Sequence, residues 1–304
     1  MTTGVSMTKV GVIAHRDKML GGGLGELRDL LEAAGVVTPP WSEVSKSKHA
    51  PDEIRKMIDG GVDRVLVWGG DGTVRRSIDT IVGDGLDHVS LGILPAGTAN
   101  LLAKNLNIPV DLEAAVDIAV HGAPRAIDVG VMNGEHFAVM GGTGFDALMI
   151  KDADDNQLKE KFGRVGYVRA TIRSTRMDPV KVRVELDGRE WFSGKATCVL
   201  VGNVGTILGG VTAFADASPT DGRLDVGVVQ AKSRKDWMRV AARGVTGRVG
   251  ASPFVNVATA EKIKIELKRK MPWEVDGGDQ TPTKTYKIRC LPGAVRICQP
   301  AGAD

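Results

Sequence analysis

The chain has 304 residues, of which 42% are hydrophobic and 25% charged, as in globular proteins large enough for two domains. Its formal net charge is only +3, which argues against nucleic acid as the main partner, because proteins that bind the phosphate backbone carry a concentrated basic excess. The three cysteines are unclustered and indicate neither a disulfide framework nor a zinc site. No export signal is visible, so we expect a cytoplasmic protein.

Strands and helices alternate in the first part of the chain. Each short apolar run is followed by a glycine-rich turn or a polar segment, and then by apolar residues at helical spacing. This repetition predicts a doubly wound parallel sheet. The predicted strands are 9–14, 65–68 and 89–94. The predicted helices are 24–31, 52–58, one after the 69–73 loop with Ile78, Ile81 and Val82 on its apolar side, and 112–120.

After about Asp128 the pattern changes to strand-like runs, several with strict two-residue alternation. Asp187-Gly188 between two such runs predicts a hairpin. The second part is therefore predicted to be mostly antiparallel β-structure, interrupted by two helices. The predicted strands are 137–140, 180–186, 196–201, 224–229 and 262–267, and the helices are 158–176 and 234–248.

The first glycine-rich loop is Gly69-Gly70-Asp71-Gly72-Thr73, directly after a buried strand. Glycines allow close approach of a ligand to the backbone, and the N-terminus of the following helix favours a phosphate. Asp71 can accept hydrogen bonds or hold a cation, and Thr73 can donate to a phosphate oxygen. The alternative is a sharp turn without a ligand. The loop is neither a Walker A sequence nor the dinucleotide fingerprint.

A second loop, Gly92 to Asn100, also follows a strand and contains Gly97-Thr98. Loops that follow adjacent parallel strands meet at the carboxyl edge of the sheet, where open α/β sheets bind ligands. The two loops together therefore favour a phosphate cradle over two unrelated turns.

These segments resemble the diacylglycerol kinase catalytic domain, the group that includes bacterial lipid kinases, sphingosine kinases and ceramide kinases. The resemblance spans nearly the whole chain in order. It rests on Gly69–Thr73, Leu94–Asn100, Ala103–Pro109, Arg125–Gly130, Gly142–Ala147, Gly202-Asn203, Asp221–Val226 and Glu274–Gly277.

The resemblance implies an α/β ATP-binding domain followed by an antiparallel β-sandwich-like domain that receives the lipid. We expect the first domain to comprise residues 1–128 with 289–304 returning to it, and the second to comprise 129–288. The implied substrate is ATP, used with Mg²⁺ to phosphorylate a hydroxyl of diacylglycerol or a related lipid.

The resemblance also implies roles for individual residues. Asp71 helps to organise magnesium, and Asp276 is the catalytic base, although Asp276-Gly277 would also suit a hairpin turn. Asp225 and Asp128 lie near the metal network or cap turns. The implied ATP-phosphate contacts are Gly69, Gly70, Gly72, Thr73, Gly97, Thr98 and Asn100, and the implied structural magnesium site is Asp221, Leu224 and Asp225.

Three positions depart from the family pattern. The first strand is followed by Ala14–Lys18 and not by the usual Asn-Pro-x-Ser/Ala-Gly, so His15, Arg16 and Lys18 either bind phosphate by charge or are merely solvated. Leu101 stands where many bacterial members have Asp. Gly278 and Asp279 follow the Asp-Gly pair where Glu is usual, which leaves Asp279 as the alternative base.

The implied partner is a lipid at the surface of the inner membrane face, with peripheral contact, no nucleic acid, and a homodimer as a compatible assembly. The basic segments 158–176 and 232–248 either lie on an anionic membrane or pack on the sheet with a solvated basic face. Two other functions stay open. One is a NAD kinase, which shares the Gly-Gly-Asp-Gly-Thr motif, and the other is a catalytically silent nucleotide- or lipid-binding regulator.

Overall fold

The computed structural model describes residues 8–144, 179–207, 211–245 and 249–302. The chain divides into two compact units, Met1–Ile127 with Ala294–Asp304, and Asp128–Gly293. The second boundary therefore lies five residues later than the predicted 288/289. The reason is that Arg289 still pairs with Lys262 of the β unit, and the Gly293 N–H still donates to Asp128.

The first unit is an α/β unit, as predicted. The pairs β1–β2, β1–β3 and β3–β4 are parallel, and β4 also pairs in parallel with Arg296 and Ile297. The strand order is β4-β3-β1-β2. Its elements are β1 (Val10–His15), α1 (Leu24–Ala33), β2 (Trp41–Val44), α2 (Ala50–Asp59), β3 (Arg64–Gly69), α3 (Asp71–Gly83), β4 (Ser90–Pro95), α4 (Leu101–Asn105) and α5 (Leu112–His121).

Helices cover both faces of this parallel sheet. Alternate strand residues such as Val12, Leu66 and Leu94 pack in one cluster with α1 and α5. On the other face, a side chain at Gly11 would lie 3.1 Å from the Met57 sulfur of α2, and α2 packs on α3. The sheet is therefore buried on both sides, which explains why its strands are apolar without alternation.

The second unit is antiparallel β-structure with one described helix. Its elements are β5 (Ala123–Met132, which begins in the first unit), β6 (Glu135–Phe137), β7 (Met140–Thr143), β8 (Val180–Leu186), β9 (Arg189–Ala196), β10 (Cys198–Gly202), β11 (Thr206–Ile207), β12 (Val211–Thr212), β13 (Leu224–Val229), α6 (Arg234–Val245), β14 (Val255–Ala260), β15 (Lys262–Val275) and β16 (Gly278–Gln299, which ends in the first unit).

Strand β15 belongs to two layers of this unit. Its first half pairs with β8, and its last residues pair with β7 in the ladder β14-β13-β10-β7. Irregular pairing between Glu266 and Trp273 separates the two halves, and such bulges let one strand pass between sheets. Buried residues from both layers, including Tyr286 and Phe137, form one core, which confirms the sandwich-like prediction.

Local signals explain where several elements begin and end. Asp187-Gly188 joins β8 to β9 with positive φ angles of 48° and 82°, as in the predicted two-residue hairpin. Helix α6 begins after Ser233, whose hydroxyl accepts from the Asp236 N–H while Asp236 accepts from the Ser233 N–H. The predicted helix at 158–176 lies outside the described residues. Within the described ranges, no helix combines the length and apolarity needed to cross a bilayer.

Candidate active site

The two glycine-rich loops meet at the carboxyl edge of the parallel sheet, as the sequence predicts. Gly69 at the end of β3 lies opposite Pro95 at the end of β4. A Cβ added at Gly70 would lie 3.2 Å from the Gly97 Cα, and a Cβ at Gly97 would overlap the Gly70 backbone. The touching loops therefore exclude a side chain at Gly97, and a side chain at Gly70 would be tightly packed.

Asn100 fixes the shape of the second loop. Asn100 has a left-handed backbone conformation, with a φ angle of 49°, and is 4% exposed. The Asn100 Oδ1 accepts from the Gly97 N–H at 2.9 Å, and Nδ2 donates to the carbonyls of Pro95 and Gly97 at 2.9 and 2.8 Å. The side chain thus forms its hydrogen bonds within the loop, so the geometry gives it the role of shaping the cradle.

Asp71, the first residue of α3, connects the two loops. Its Oδ1 accepts from the Leu101 N–H, at the start of α4, at 2.6 Å. Burial raises the pKa of the Asp71 carboxyl, and the backbone N–H groups of Leu101, Leu102 and Asn100 partly offset that rise. The site therefore presents a desolvated carboxyl beside the glycine loops. Leu101, a departure from the family pattern, contributes its backbone here.

The two predicted hydroxyl ligands differ in position. Thr73 is 1% exposed, and its Oγ1 lies 3.0 Å from the Ser47 Oγ. Its hydroxyl is therefore engaged in a hydrogen bond that links α3 to the segment before α2. Thr98 is exposed and makes no hydrogen bond with any described residue. The structure thus leaves Thr98, and not Thr73, with a hydroxyl open to a ligand.

The loop after β1 lies at the same edge of the sheet, because β1 is parallel to β3 and adjacent to it. The Lys18 carbonyl accepts from the Trp68 indole N–H at 3.2 Å, which ties this loop to β3. Arg16 is exposed, and His15 and Lys18 are partly exposed. The basic residues that replace the usual phosphate loop are therefore next to the glycine loops in the sheet.

Asp276 lies in the other unit, at the turn between β15 and β16. It and Gly277 have φ angles of 44° and 77°, so the pair forms the hairpin turn that the sequence left open as an alternative. Its carboxylate accepts from the N–H groups of Ala138, Val139 and Met140 at 2.8, 3.1 and 2.8 Å. The side chain is thus heavily engaged in anchoring the 138–140 segment.

The predicted metal residues surround a second turn of that unit. Asp225 is 6% exposed, and its pKa is raised to about 6 by burial and by the neighbouring charges of Asp221 and Asp216. Leu224 is fully buried in β13. Among the described residues, no three His, Cys, Asp or Glu side chains converge to hold an ion.

Asp128 caps turns, one of the two roles left open for it. Its Oδ2 accepts from the Gly222 N–H at 2.7 Å and its Oδ1 from the Gly293 N–H at 2.8 Å. Asn203 adds a bond from Nδ2 to the Asp128 carbonyl at 2.8 Å. Asp128 therefore fixes the turn that carries Asp221.

In each unit, some partners of the predicted residues had no sequence signal. Ser47, the partner of Thr73, is 26 residues away from it, and the N–H donors around Asp276 lie more than 130 residues away. Asp146, part of the resemblance, lies outside the described residues.

Comparison with known proteins agrees with the whole-chain resemblance. Residues 20–132 match the diacylglycerol kinase catalytic domain, and residues 139–299 match the YegS C-terminal NAD kinase beta sandwich-like domain. A diacylglycerol kinase of Mycobacterium tuberculosis is 30% identical over 247 residues, which are 79% of this chain and 78% of that protein.

Two solved structures share the fold. A diacylglycerol kinase from Bacillus anthracis has a TM-score of 0.77 over 98% of both chains at 20% identity. An NAD kinase from Archaeoglobus fulgidus, in complex with ATP, has a TM-score of 0.54 over 97% of this chain and 95% of that one at 10% identity. The expected lipid-kinase family is thus confirmed, and the chain belongs to the diacylglycerol kinase family of lipid kinases.

Proposed function

We propose that this lipid kinase transfers the γ-phosphate of ATP to a hydroxyl of diacylglycerol or a closely related lipid. The observation that carries the proposal is the contact between Gly70 and Gly97, with the half-buried Asp71 carboxyl beside it. Membership of the family supplies the lipid as the acceptor class. The acceptor's hydroxyl oxygen forms a bond to the γ-phosphorus, the bond from that phosphorus to the bridging oxygen breaks, and ADP leaves.

The ATP phosphates are proposed to lie against the two loops. Helix α3 begins without a side-chain cap, so its positive dipole end is available, although the Thr73 N–H donates to the Gly70 carbonyl. The N–H groups of Gly72 and Thr98 donate to no other described residue. Arg16 and Lys18 at the same sheet edge add positive charge. These features favour a polyphosphate over a neutral ligand.

The proton of the lipid hydroxyl is proposed to move to Asp71. A carboxylate whose pKa is raised by burial is a better proton acceptor near neutral pH than one whose two oxygens both anchor another segment by hydrogen bonds. Burial raises the pKa of Asp71, whereas Asp276 accepts three backbone N–H bonds. We therefore favour Asp71 as the base over the two residues that the sequence predicts for this role, Asp276 as its first choice and Asp279 as its alternative.

Magnesium fits the residues predicted to hold it, in part. Asp221 and Asp225 offer hard oxygen ligands, and a cation between them would relieve the repulsion that, after burial, raises the pKa of Asp225. Because no third carboxylate converges there among the described residues, a Mg²⁺ ion would keep several water ligands. When bound, it would neutralise the turn that Asp128 holds. A second Mg²⁺ would accompany ATP and neutralise its phosphate charge.

The test is a kinase assay with labelled ATP and Mg²⁺ on diacylglycerol, ceramide, sphingosine, phosphatidylglycerol and NAD. We expect label in phosphatidic acid. Asp71→Asn should nearly abolish transfer and leave the fold intact, because an amide oxygen can still accept from Leu101. Asp84→Asn, at the other end of α3, removes the same charge and should stay active. Label in NAD alone would indicate a NAD kinase, and none in any acceptor a silent regulator.

A further inference from the structure

The exposed face of strands β9, β8 and β15 carries an uneven distribution of charge. Along β8, Val180, Val182 and Val184 are buried, while Lys181 and Arg183 between them are exposed. Residues directly opposite each other in antiparallel strands point to the same face. The charged residues on this face can therefore be assigned from the strand register.

At one end of this face the charges are paired. Arg183 forms ion pairs with Glu185 and Glu190 at 3.4 and 2.7 Å. Lys264 forms ion pairs with Glu185 and Glu266 at 3.7 and 2.9 Å. This end therefore carries balanced, mutually satisfied charges.

At the other end three lysines stand side by side. Lys181 lies directly opposite Lys195 of β9. Leu267 of β15 pairs with Val182, and continuing that register by one residue brings Lys268 opposite Lys181 on its other side. We call Lys195, Lys181 and Lys268 the lysine row. All three are exposed, and none forms an ion pair with a described residue.

Such a row is unfavourable for the isolated fold, because like charges directly opposite each other destabilise a sheet. Lysines from three strands lie together at this end, whereas the carboxylates of the same face form ion pairs at the far end. The lysines are therefore suited to an external anion. Trp191 and Phe192 of β9 pack against the core. Both are partly buried there, whereas single-stranded nucleic-acid sites present exposed aromatic rings on which bases stack.

We propose that the lysine row is a docking surface for the anionic headgroups of a lipid bilayer. The inference rests on the proposed function, because a kinase whose acceptor is a membrane lipid has to contact the bilayer that holds it. Basic residues near an anionic membrane gain attraction that falls off within a Debye length, about 8 Å at physiological salt. Lysines on adjacent strands lie about 5 Å apart, so all three act on one patch of headgroups.

The test is sedimentation of the full chain with vesicles, without ATP. The vesicles contain phosphatidylcholine alone or phosphatidylcholine with phosphatidylglycerol. The wild-type protein should bind only the anionic vesicles, and less at high salt. Each lysine contributes a factor of about five to the partition coefficient, so K181Q/K195Q should lower it about 30-fold. The double variant should unfold at the same temperature or higher, because it loses a like-charge pair.

The matched control is Lys264→Gln, which removes one charge from the same face of β15. Lys264 is four residues from Lys268, about 13 Å along the strand and beyond a Debye length, so this variant should partition nearly as the wild type does. Equal partition of K181Q/K195Q and wild type would overturn the proposal. The proposal would also be overturned if the protein bound a DNA duplex as tightly as the anionic vesicles and K181Q/K195Q lost that binding. Failure of the kinase assay in neutral micelles would instead refute the proposed function and leave vesicle binding as a separate result.

Discussion

The variant Asp276→Asn distinguishes two roles of the Asp276 carboxylate, namely anchoring of the 138–140 segment and general-base catalysis. Asparagine tolerates positive φ, and Asn-Gly is among the preferred pairs for a two-residue hairpin turn, so the turn backbone should be kept. What changes is the acceptor capacity of the side chain. The carboxylate accepts from Ala138 through Oδ2 and from Val139 and Met140 through Oδ1. An amide has one acceptor oxygen, so one of these N–H groups must face an NH₂ group.

The expected cost follows from those three bonds. Leaving the partly buried Ala138 N–H without an acceptor costs about 1–3 kcal/mol. The two remaining bonds lose their charge assistance, which weakens each by about half. The sum is about 2–4 kcal/mol, and for a unit of this size each kcal/mol lowers the Tm by about 2–4 °C. We therefore expect Asp276→Asn to lower the Tm of the β unit by about 5–15 °C.

The assay is thermal unfolding together with kcat measured well below the transition. Asp187→Asn is the matched control, since Asp187-Gly188 is also a hairpin turn and Asp187 accepts from Glu261 and Lys262 at 3.1 and 2.9 Å. Asp187 is exposed, so its loss should cost less. A kcat that falls 10²–10⁴-fold at an unchanged Tm would refute the anchoring role and restore Asp276 as the base. A large kcat loss at Asp279→Asn would place the base there.

Thr98→Ala should raise the KM for ATP more than it lowers kcat, because its exposed hydroxyl is open to a ground-state phosphate contact; a pure kcat effect would contradict this. Gly97→Ala should raise the KM for ATP at least tenfold and destabilise by about 1–3 kcal/mol, since its Cβ would overlap Gly70. Gly83→Ala, with open space around the new Cβ, is the control. In the absence of Mg²⁺, stability should fall as pH rises from about 4 through about 6, because folded Asp225, with its pKa of about 6, holds a proton that the unfolded chain releases. Asp225→Asn should flatten that part of the Tm-against-pH curve, and an unchanged curve would contradict the raised pKa.

The parallel sheet and its two loops could be predicted because their signals are local. Gly69–Thr73 follows its strand directly, and the positions of both loops then depend only on the strands being neighbours. The Asp187-Gly188 hairpin is predictable for the same reason, since the turn and both strands lie between Val180 and Ala196. Such features need no knowledge of what packs against them.

The partners of the polar side chains could not be predicted in the same way. The sequence offered Thr73 and Thr98 as equivalent hydroxyls, and only the approach of Ser47 distinguishes them. The role of Asp276 is equally ambiguous in the sequence, because an Asp-Gly pair suits both the family's catalytic motif and a hairpin turn. Its three N–H donors come from a segment distant in sequence, and main-chain donors carry no residue-type signal.

The pairing of β4 with Arg296 and Ile297 has a consequence for biosynthesis. The ribosome completes β4 long before it reaches these residues, and about 200 residues at 5–20 per second take about 10–40 s. Throughout that time the nascent α/β unit has an unpaired parallel edge made of apolar residues such as Leu91 and Ile93. Open edges of this kind recruit other chains. Synthesis of residues 1–127 alone therefore does not close this sheet against aggregation, because Arg296 and Ile297 must first leave the ribosome.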